Sequence, residues 1–76
     1  MTIDEFKKNI APYMHPGYVA MDEDGQYWWY RRKPRKFKHY WNVKMLKKKD
    51  DIYYLFKLFI IEPVEDWTKS LIEVGK

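Results

Sequence analysis

Basic and aromatic side chains are concentrated in the middle of this 76-residue chain. Six of the eight residues from 31 to 38 are Lys or Arg, and His39, Tyr40 and Trp41 follow them directly. Cations neutralise phosphates and release their counterions, while exposed rings offer faces on which unpaired bases stack for about 1 to 3 kcal/mol each. The pattern therefore predicts nucleic-acid contacts by one set of side chains: Arg31, Arg32, Lys33, Arg35, Lys36, Lys38, Tyr40, Lys44, Lys47 and Lys48.

The distribution of charge supports a local binding surface. The net charge is +4, yet the segment 31–49 carries ten Lys or Arg and no Asp or Glu, whereas the parts of the chain before and after it are each net −3. A block of one sign between flanks of the other sign is typical of a located electrostatic feature. An acidic protein surface would bind the same block, and a solvated loop or a lysine-protected edge strand would produce it without any partner.

Side chains suited to catalysis are few. The chain has one serine, Ser70, and two histidines, His15 and His39, whose positions in a predicted helix, loop and strand give no reason to meet. Nucleophilic catalysis needs a nucleophile, a base and an orienting group within reach of one another. The absence of cysteine excludes disulfides, thiolate zinc sites and cysteine nucleophiles. We therefore expect a non-enzymatic protein.

The acidic run from Asp22 to Asp24 suggests a metal site, but its spacing does not fit one. A calcium loop needs glycine at its sixth position and a bidentate Glu at its twelfth. Counted from Asp22, the glycine is Gly25 at the fourth position and the twelfth residue is Lys33. We expect a solvated hairpin turn instead, with neither a metal nor a cofactor.

Length and hydropathy predict one domain, residues 1–76, in the cytoplasm. The longest apolar stretch, 52–61, has ten residues and includes Lys57. It is shorter than the roughly 20 residues that span a bilayer. The N-terminus lacks the unbroken apolar region of a signal peptide, and neither predicted helix has the basic amphipathic character that binds a membrane surface.

The chain begins with a strong helix signal. Thr2 and Glu5 form a capping box, and Ile3, Phe6 and Ile10 follow at helical spacing. The helix should end before Pro12, since the residue before a proline avoids the helical region.

Four strands are predicted next, at 18–21, 26–31, 38–45 and 52–61. The turn 22–25 should join the first two with Gly25 at a positive φ. Alternation in the third strand predicts an inward set, His39, Trp41, Val43 and Met45, and an outward set, Lys38, Tyr40, Asn42 and Lys44. Both faces of the fourth strand are mostly apolar, so this strand should be central or its second face should meet a helix or a partner.

A short C-terminal helix completes the predicted fold. Asp66 should cap it, Trp67, Leu71 and Val74 should share its buried face, and Ser70 should lie outside. The expected fold is α+β, a single domain with a four-stranded antiparallel meander sheet flanked by a short N-terminal and a short C-terminal helix. A small open barrel would use the same strands.

Several of these residues resemble a known group. The run Gly17-Tyr-Val-Ala-Met-Asp-Glu-Asp-Gly25, then Trp28, Lys33-Pro34, Glu62-Pro63, Asp66-Trp67 and Ser70-Leu-Ile72, resembles small uncharacterised proteins encoded by phages and prophages. The resemblance covers the first hairpin and the C-terminal region, and apart from Lys33 it does not include the run of cations from 31 to 38. It implies a phage or prophage gene whose product acts in a bacterial cytoplasm, and it implies no activity or site residues.

A second function fits the same features. Aromatic residues and arginine dominate binding hot spots. The chain could therefore be a protein-binding module that acts on a host or phage protein. It could also form a homodimer through one face of the fourth strand: Tyr53, Leu55, Phe59 and Ile61.

Overall fold

The elements of the chain are short, and their bounds come from a computed structural model. The structure describes residues 1–42, the backbone of 52–54, and residues 61–75. In these residues the elements are α1 (Ile3–Asn9), a 3₁₀ turn (Ala11–Tyr13), β1 (Gly17–Met21), β2 (Tyr27–Tyr30), β3 (Arg35–Lys36), β4 (Trp41–Asn42), β5 (Ile52–Tyr54), a second 3₁₀ turn (Trp67–Lys69) and β6 (Ile72–Val74). One N-terminal helix with antiparallel sheets makes this an α+β fold.

The N-terminal helix forms as predicted. The Thr2 hydroxyl accepts a hydrogen bond from the Glu5 backbone N–H at 3.2 Å, and the Glu5 carboxylate accepts one from the Thr2 N–H at 2.9 Å. These donors from Thr2 hold the pKa of Glu5 below its usual value. Phe6 points into the protein and is 0% exposed. The helix ends at Asn9, ahead of Pro12 in the following 3₁₀ turn.

The first predicted hairpin is also confirmed. Strands β1 and β2 pair antiparallel, with Tyr18 opposite Tyr30 and Met21 opposite Tyr27. Gly25 has a φ of +87° in the connecting turn, as the sequence predicts. Asp22 closes the turn, because its N–H donates to the Gln26 carbonyl at 2.9 Å.

The predicted meander is wrong. The described strands of the main sheet lie in the order β5-β2-β1-β6, all antiparallel neighbours. A meander would place the segment 38–45 beside β2, but β5 takes that position. The segment 52–61 is not central in the part of the chain that the structure describes, since β5 stands at one end of the strand order and residues 55–60 lie outside that part.

The predicted C-terminal helix is wrong as well. Asp66 accepts a hydrogen bond from the Thr68 N–H at 3.1 Å, as a helix cap does, but only the 3₁₀ turn follows. The next residues form β6, in which Ile72 lies opposite Val19. Short isolated helices are marginal, and β-branched residues such as Ile72 and Val74 favour strands. Pairing with the open edge of β1 therefore favours a strand over a helix for these residues.

The third predicted strand is replaced by a separate two-stranded ribbon, which we call the ribbon: β3, β4 and the tip residues 37–40 between them. Pro34 separates β3 from β2, because it has no N–H to continue the ladder. His39, predicted to face the core, is exposed, whereas Trp41 is buried as predicted. Val43 and Met45 lie outside the described residues.

The β1–β2 hairpin is thus covered on two faces. Its helix face carries Val19, Met21, Tyr27 and Trp29, which pack with Phe6, Ala11, Ile61 and Val74. Its ribbon face carries Ala20 and Tyr30, which pack with Trp41 and, further out, with Tyr18, Trp28, Trp67 and Leu71. The period-two alternation of a strand explains the division. The predicted common face of Trp67, Leu71 and Val74 is therefore wrong, because Val74 belongs to the other cluster.

Candidate nucleic-acid interface

The ribbon carries the central cations and the aromatic tip. Arg35 lies opposite Asn42 and Lys36 opposite Trp41, and the Phe37 N–H donates to the Tyr40 carbonyl at 2.7 Å. This hydrogen bond closes the four-residue tip. These cations are therefore presented on a separate two-stranded ribbon and not along a strand of the main sheet.

Trp41 attaches the ribbon to the β1–β2 hairpin and to the second 3₁₀ turn through three hydrogen bonds. Its backbone N–H donates to Asp22 Oδ1 at 2.8 Å, its carbonyl accepts from the Tyr30 hydroxyl at 2.9 Å, and its indole Nε1 donates to the Trp67 carbonyl at 3.2 Å. Burial, assisted by the negative charge of Asp22, raises the pKa of Tyr30 well above its usual range, so its hydroxyl stays protonated and remains a donor. The base of the ribbon is thus held by directed bonds.

The acidic turn provides a further attachment. The Glu23 N–H donates to the His39 carbonyl at 3.2 Å, and His39 Nδ1 lies 3.0 Å from Glu23 Oε2. Both side chains are exposed, so solvent screens this pair and its contribution to stability is small. The carboxylates of the turn that invited a metal site are used otherwise: Asp22 binds Trp41, and Asp24 accepts from the Gln26 N–H at 3.0 Å.

Two aromatic rings are exposed at the tip. Phe37 and Tyr40 stack with their ring centroids 5.4 Å apart and their planes 19° apart. Phe37 is 39% exposed and Tyr40 45%, whereas the other Phe, Tyr and Trp residues in the described part of the chain, apart from Tyr13, are buried or half-buried. Large apolar rings are normally buried in a small domain, so a stacked pair left exposed at the tip of the ribbon is a candidate contact surface.

Six of the predicted cations surround this pair in the chain, and every one of them is exposed: Arg31, Arg32, Lys33, Arg35, Lys36 and Lys38. Lys36 also places its Nζ 5.9 Å from the centroid of the Trp67 ring, within the range of a cation–π contact. Lys38 belongs to the tip itself, between the two stacked residues. Arg35, Lys36 and Lys38 therefore share the ribbon with the aromatic pair, whereas Arg31, Arg32 and Lys33 lie in the segment between β2 and β3.

Three predicted site residues, Lys44, Lys47 and Lys48, lie outside the described residues. Two residues that the sequence analysis missed belong to the site. Phe37 is the only aromatic residue in the basic run 31–38. Its spacing of three residues from Tyr40 across a short tip is the signal that could have revealed the stacked pair. The sequence placed Asp22 in a solvated hairpin turn, without a contact to the segment 31–49.

A cleft lies where the ribbon meets the sheet. It has a volume of about 140 Å³ and is lined by Asp22, Trp28, Tyr30, Tyr40, Trp41 and Asn42. Partial burial raises the pKa of Asp22, an effect that the hydrogen bond from the Trp41 N–H only partly offsets. The cleft thus combines aromatic walls with one carboxylate in a poorly solvated place, and Tyr40 belongs both to the tip and to the cleft.

The serine and histidines have structural contacts. Ser70, predicted to face outward, is buried, and its hydroxyl accepts from the Met21 N–H at 2.8 Å and lies 2.7 Å from the Trp67 carbonyl. The His15 ring packs edge-on against Trp29 with centroids 5.7 Å apart. Ser70 therefore joins the second 3₁₀ turn to β1.

Comparisons with protein families, with curated proteins and with solved structures give no match. In the part of the chain that the structure describes, no helix has the length and apolar character needed to cross a bilayer.

Proposed function

We propose that this chain is a non-enzymatic accessory protein that binds nucleic acid through the ribbon and the cations that precede it. The observation that carries the proposal is the stacked Phe37–Tyr40 pair, exposed at a tip among exposed cations. Nucleic acid offers the complementary chemistry, phosphates for the cations and base faces for the rings.

The two kinds of side chain would have different roles. Arg35 and Lys38 contact phosphates, which gives affinity without sequence preference. Phe37 and Tyr40 stack on bases, which requires bases that are not already paired. We therefore expect single-stranded nucleic acid to bind more tightly than duplex of the same length.

The cellular setting is part of the proposal. The resemblance of the hairpin and the C-terminal region to phage and prophage proteins supports a phage-type protein in the cytoplasm of a bacterial host.

Fluorescence anisotropy with labelled single-stranded and double-stranded 20-mers tests the proposal at two salt concentrations. We expect Kd to rise steeply with salt, with a slope of about 0.7 in log Kd against log salt for each single-strand phosphate contact. Binding that is absent at low salt, or that does not respond to salt, would overturn the proposal.

Matched variants separate the ribbon from general basicity. Arg35→Gln with Lys38→Gln should weaken binding and lower the salt slope by about 1 to 2. The control, Lys7→Gln with Lys8→Gln, removes the same charge from the exposed side of α1. Its salt slope should stay larger than that of the ribbon variant. Equal effects of the two pairs would show that net charge and not the ribbon binds the ligand.

A second pair of variants tests stacking. Tyr40→Leu should weaken single-strand binding by about 5- to 150-fold, the equivalent of about 1 to 3 kcal/mol per stacked base. Tyr13→Leu is the control, because Tyr13 is 85% exposed and far along the chain from the ribbon. Loss of binding in both variants alike would argue against a role specific to Tyr40.

The alternative partner, an acidic protein surface, is an outcome of a companion experiment. If no oligonucleotide binds and a protein is retained from nuclease-treated bacterial lysate by the native chain but not by the Tyr40→Leu variant, the ribbon is a protein-binding surface.

The dimer surface predicted on the fourth strand loses one member, since Ile61 is buried in the helix-face core. The side chains of its other members, Tyr53, Leu55 and Phe59, lie outside the part of the chain that the structure describes.

A further inference from the structure

The cleft at the base of the ribbon is suited to one flat ring. Ligand pockets for drug-sized molecules measure about 300 to 1,000 Å³, whereas this cleft holds about 140 Å³. Its walls include Trp28, Tyr40 and Trp41, which can contact the faces of a ring. Because Tyr40 is shared with the tip, a strand that crosses the tip would bring one of its bases to the mouth of the cleft.

Asp22 supplies the carboxylate of the cleft, whose lining also includes the Asn42 amide and the Tyr30 hydroxyl that donates to the Trp41 carbonyl. Asp22 Oδ1 is held in place by the Trp41 N–H at 2.8 Å, and Asp22 Oδ2 accepts no hydrogen bond from the described residues. An ionised carboxylate has acceptor sites only. It is poorly solvated here, so a donor that reaches it forms a stronger hydrogen bond than it would in water.

The arrangement of donors on a base decides which base fits a carboxylate. The pairing edge of guanine presents two adjacent donors, N1–H and the N2 amino group. Adenine and cytosine place an unprotonated ring nitrogen beside their amino group, and thymine and uracil place a carbonyl on either side of one N–H. These ring nitrogens and carbonyl oxygens are acceptors, and they repel a carboxylate placed opposite them. A good two-point pairing discriminates against the wrong base by about 1 to 3 kcal/mol.

Resting on the proposed function, we propose that the cleft binds one unpaired guanine, with Tyr40 stacked on its face and the Asp22 carboxylate accepting from its N1–H and N2 amino group. The site would thus add a base preference to a ribbon that otherwise binds by charge and stacking. Because the pairing edge is engaged, the guanine must come from a single strand.

Oligothymidylates that carry one central variable base test this preference by anisotropy. The native chain should bind the strand with dG about 5- to 150-fold more tightly than strands with dA or dC. A strand with deoxyinosine, which lacks the N2 amino group, should lie between them. Tight binding of oligothymidylate with equal affinity for all inserted bases would overturn the guanine site and leave the proposed function intact, whereas no binding of any strand would overturn both.

Asp22→Asn and Asp24→Asn are the decisive pair. Both remove one negative charge from the same turn, and the amide introduced by Asp22→Asn keeps an oxygen that can accept from the Trp41 N–H, so the ribbon should stay attached. Asp22→Asn should lose the dG preference, while Asp24→Asn should keep it; both should bind oligothymidylate within about twofold of each other. Retention of the preference in Asp22→Asn, in a variant whose near-ultraviolet circular dichroism matches the native chain, would overturn the assignment.

Discussion

The two faces of the β1–β2 hairpin are covered by different means. On the helix face, Phe6 and Val19 are 0% exposed and belong to one apolar cluster. On the ribbon face, the cluster is smaller, and Trp41 is attached by three hydrogen bonds to Asp22, Tyr30 and Trp67. Apolar burial is non-directional and supplies most of the stability of a domain, whereas directed bonds fix the position of what they hold.

One cleft lies beside α1 and another beside the ribbon, and the two differ in size and in chemistry. The cleft beside α1 is the larger, at about 290 Å³, and its lining is Lys7, Ala11, Pro12, Ile72, Glu73 and Gly75. The cleft beside the ribbon is about half as large, but it has four aromatic rings and a carboxylate. The comparison shows that the larger apolar core lies on the helix face, while the groups of the proposed binding site lie on the ribbon face.

The largest expected effect comes from breaking the helix face. Phe6→Ala should lower the free energy of unfolding by about 3 to 5 kcal/mol, because it leaves a cavity in the main core. A small domain has only about 5 to 15 kcal/mol in total, so much of its margin would be lost. Urea unfolding followed by tryptophan fluorescence measures the change. Lys8→Ala, on the exposed side of the same helix, is the control, and a cost below about 1 kcal/mol for Phe6→Ala would contradict the assignment of the core.

A smaller effect is expected from loosening the ribbon face. Tyr30→Phe removes the hydroxyl that donates to the Trp41 carbonyl and should cost about 1 to 2 kcal/mol, since a buried acceptor loses its donor. Hydrogen exchange at the Trp41 amide should accelerate more than exchange at the amides of β1.

Tyr18→Phe is the matched control, because Tyr18 lies on the same face and its hydroxyl donates to no described residue. If exchange accelerates equally in β1 and at Trp41, the ribbon does not open separately from the sheet, and the contrast between the two faces is wrong.

The smallest effect is a change in how stability depends on pH. Burial raises the pKa of Asp22 above its unfolded value, so the native chain binds a proton more tightly than the unfolded chain does. The contribution of Asp22 to the free energy of unfolding therefore falls as the pH rises from the unfolded pKa to the folded pKa, and it is constant above the folded pKa. The free energy of unfolding of Asp22→Asn minus that of the native chain should therefore increase over this window and then level off.

Asp66 provides the opposite sign for comparison. The Thr68 hydroxyl donates to its carboxylate and lowers the pKa of Asp66, so its contribution is present above the unfolded pKa and is lost as the pH falls through the folded one. Urea titrations of Asp22→Asn, Asp66→Asn and the Asp24→Asn control between pH 2.5 and about 7 would show the two signs. The same sign for Asp22→Asn and Asp66→Asn would exclude the stated cause of the Asp22 shift.

Local signals in the sequence were sufficient where the interacting groups are close in the chain. The Thr2–Glu5 capping box and the turn at Gly25 each involve residues within a few positions, and both formed as predicted. The long-range partners could not be predicted in this way. Nothing local indicates that Ile72 and Val74 would pair with β1, and this pairing is what converted a predicted helix into a strand.

The site divides along the same line. Its cations were predictable from composition, since a run of six in eight residues needs no tertiary information. The stacked pair and the cleft were not, because alternation assigned Tyr40 to an outer strand face and could not show a tip. Asp22 could not be assigned to the site from the sequence, because its partner Trp41 lies 19 residues later in the chain.

The pairing of β1 with β6 also has a consequence for the order in which the chain folds. Strand β1 can pair with β2 within microseconds, as hairpins of neighbouring residues do. Its other edge has to wait for Ile72 to Val74, more than 50 residues away along the chain. During synthesis and refolding, one edge of β1 is therefore unpaired and open to intermolecular pairing until β6 pairs with it. Long-range closure, and not hairpin formation, should set the folding rate of this protein.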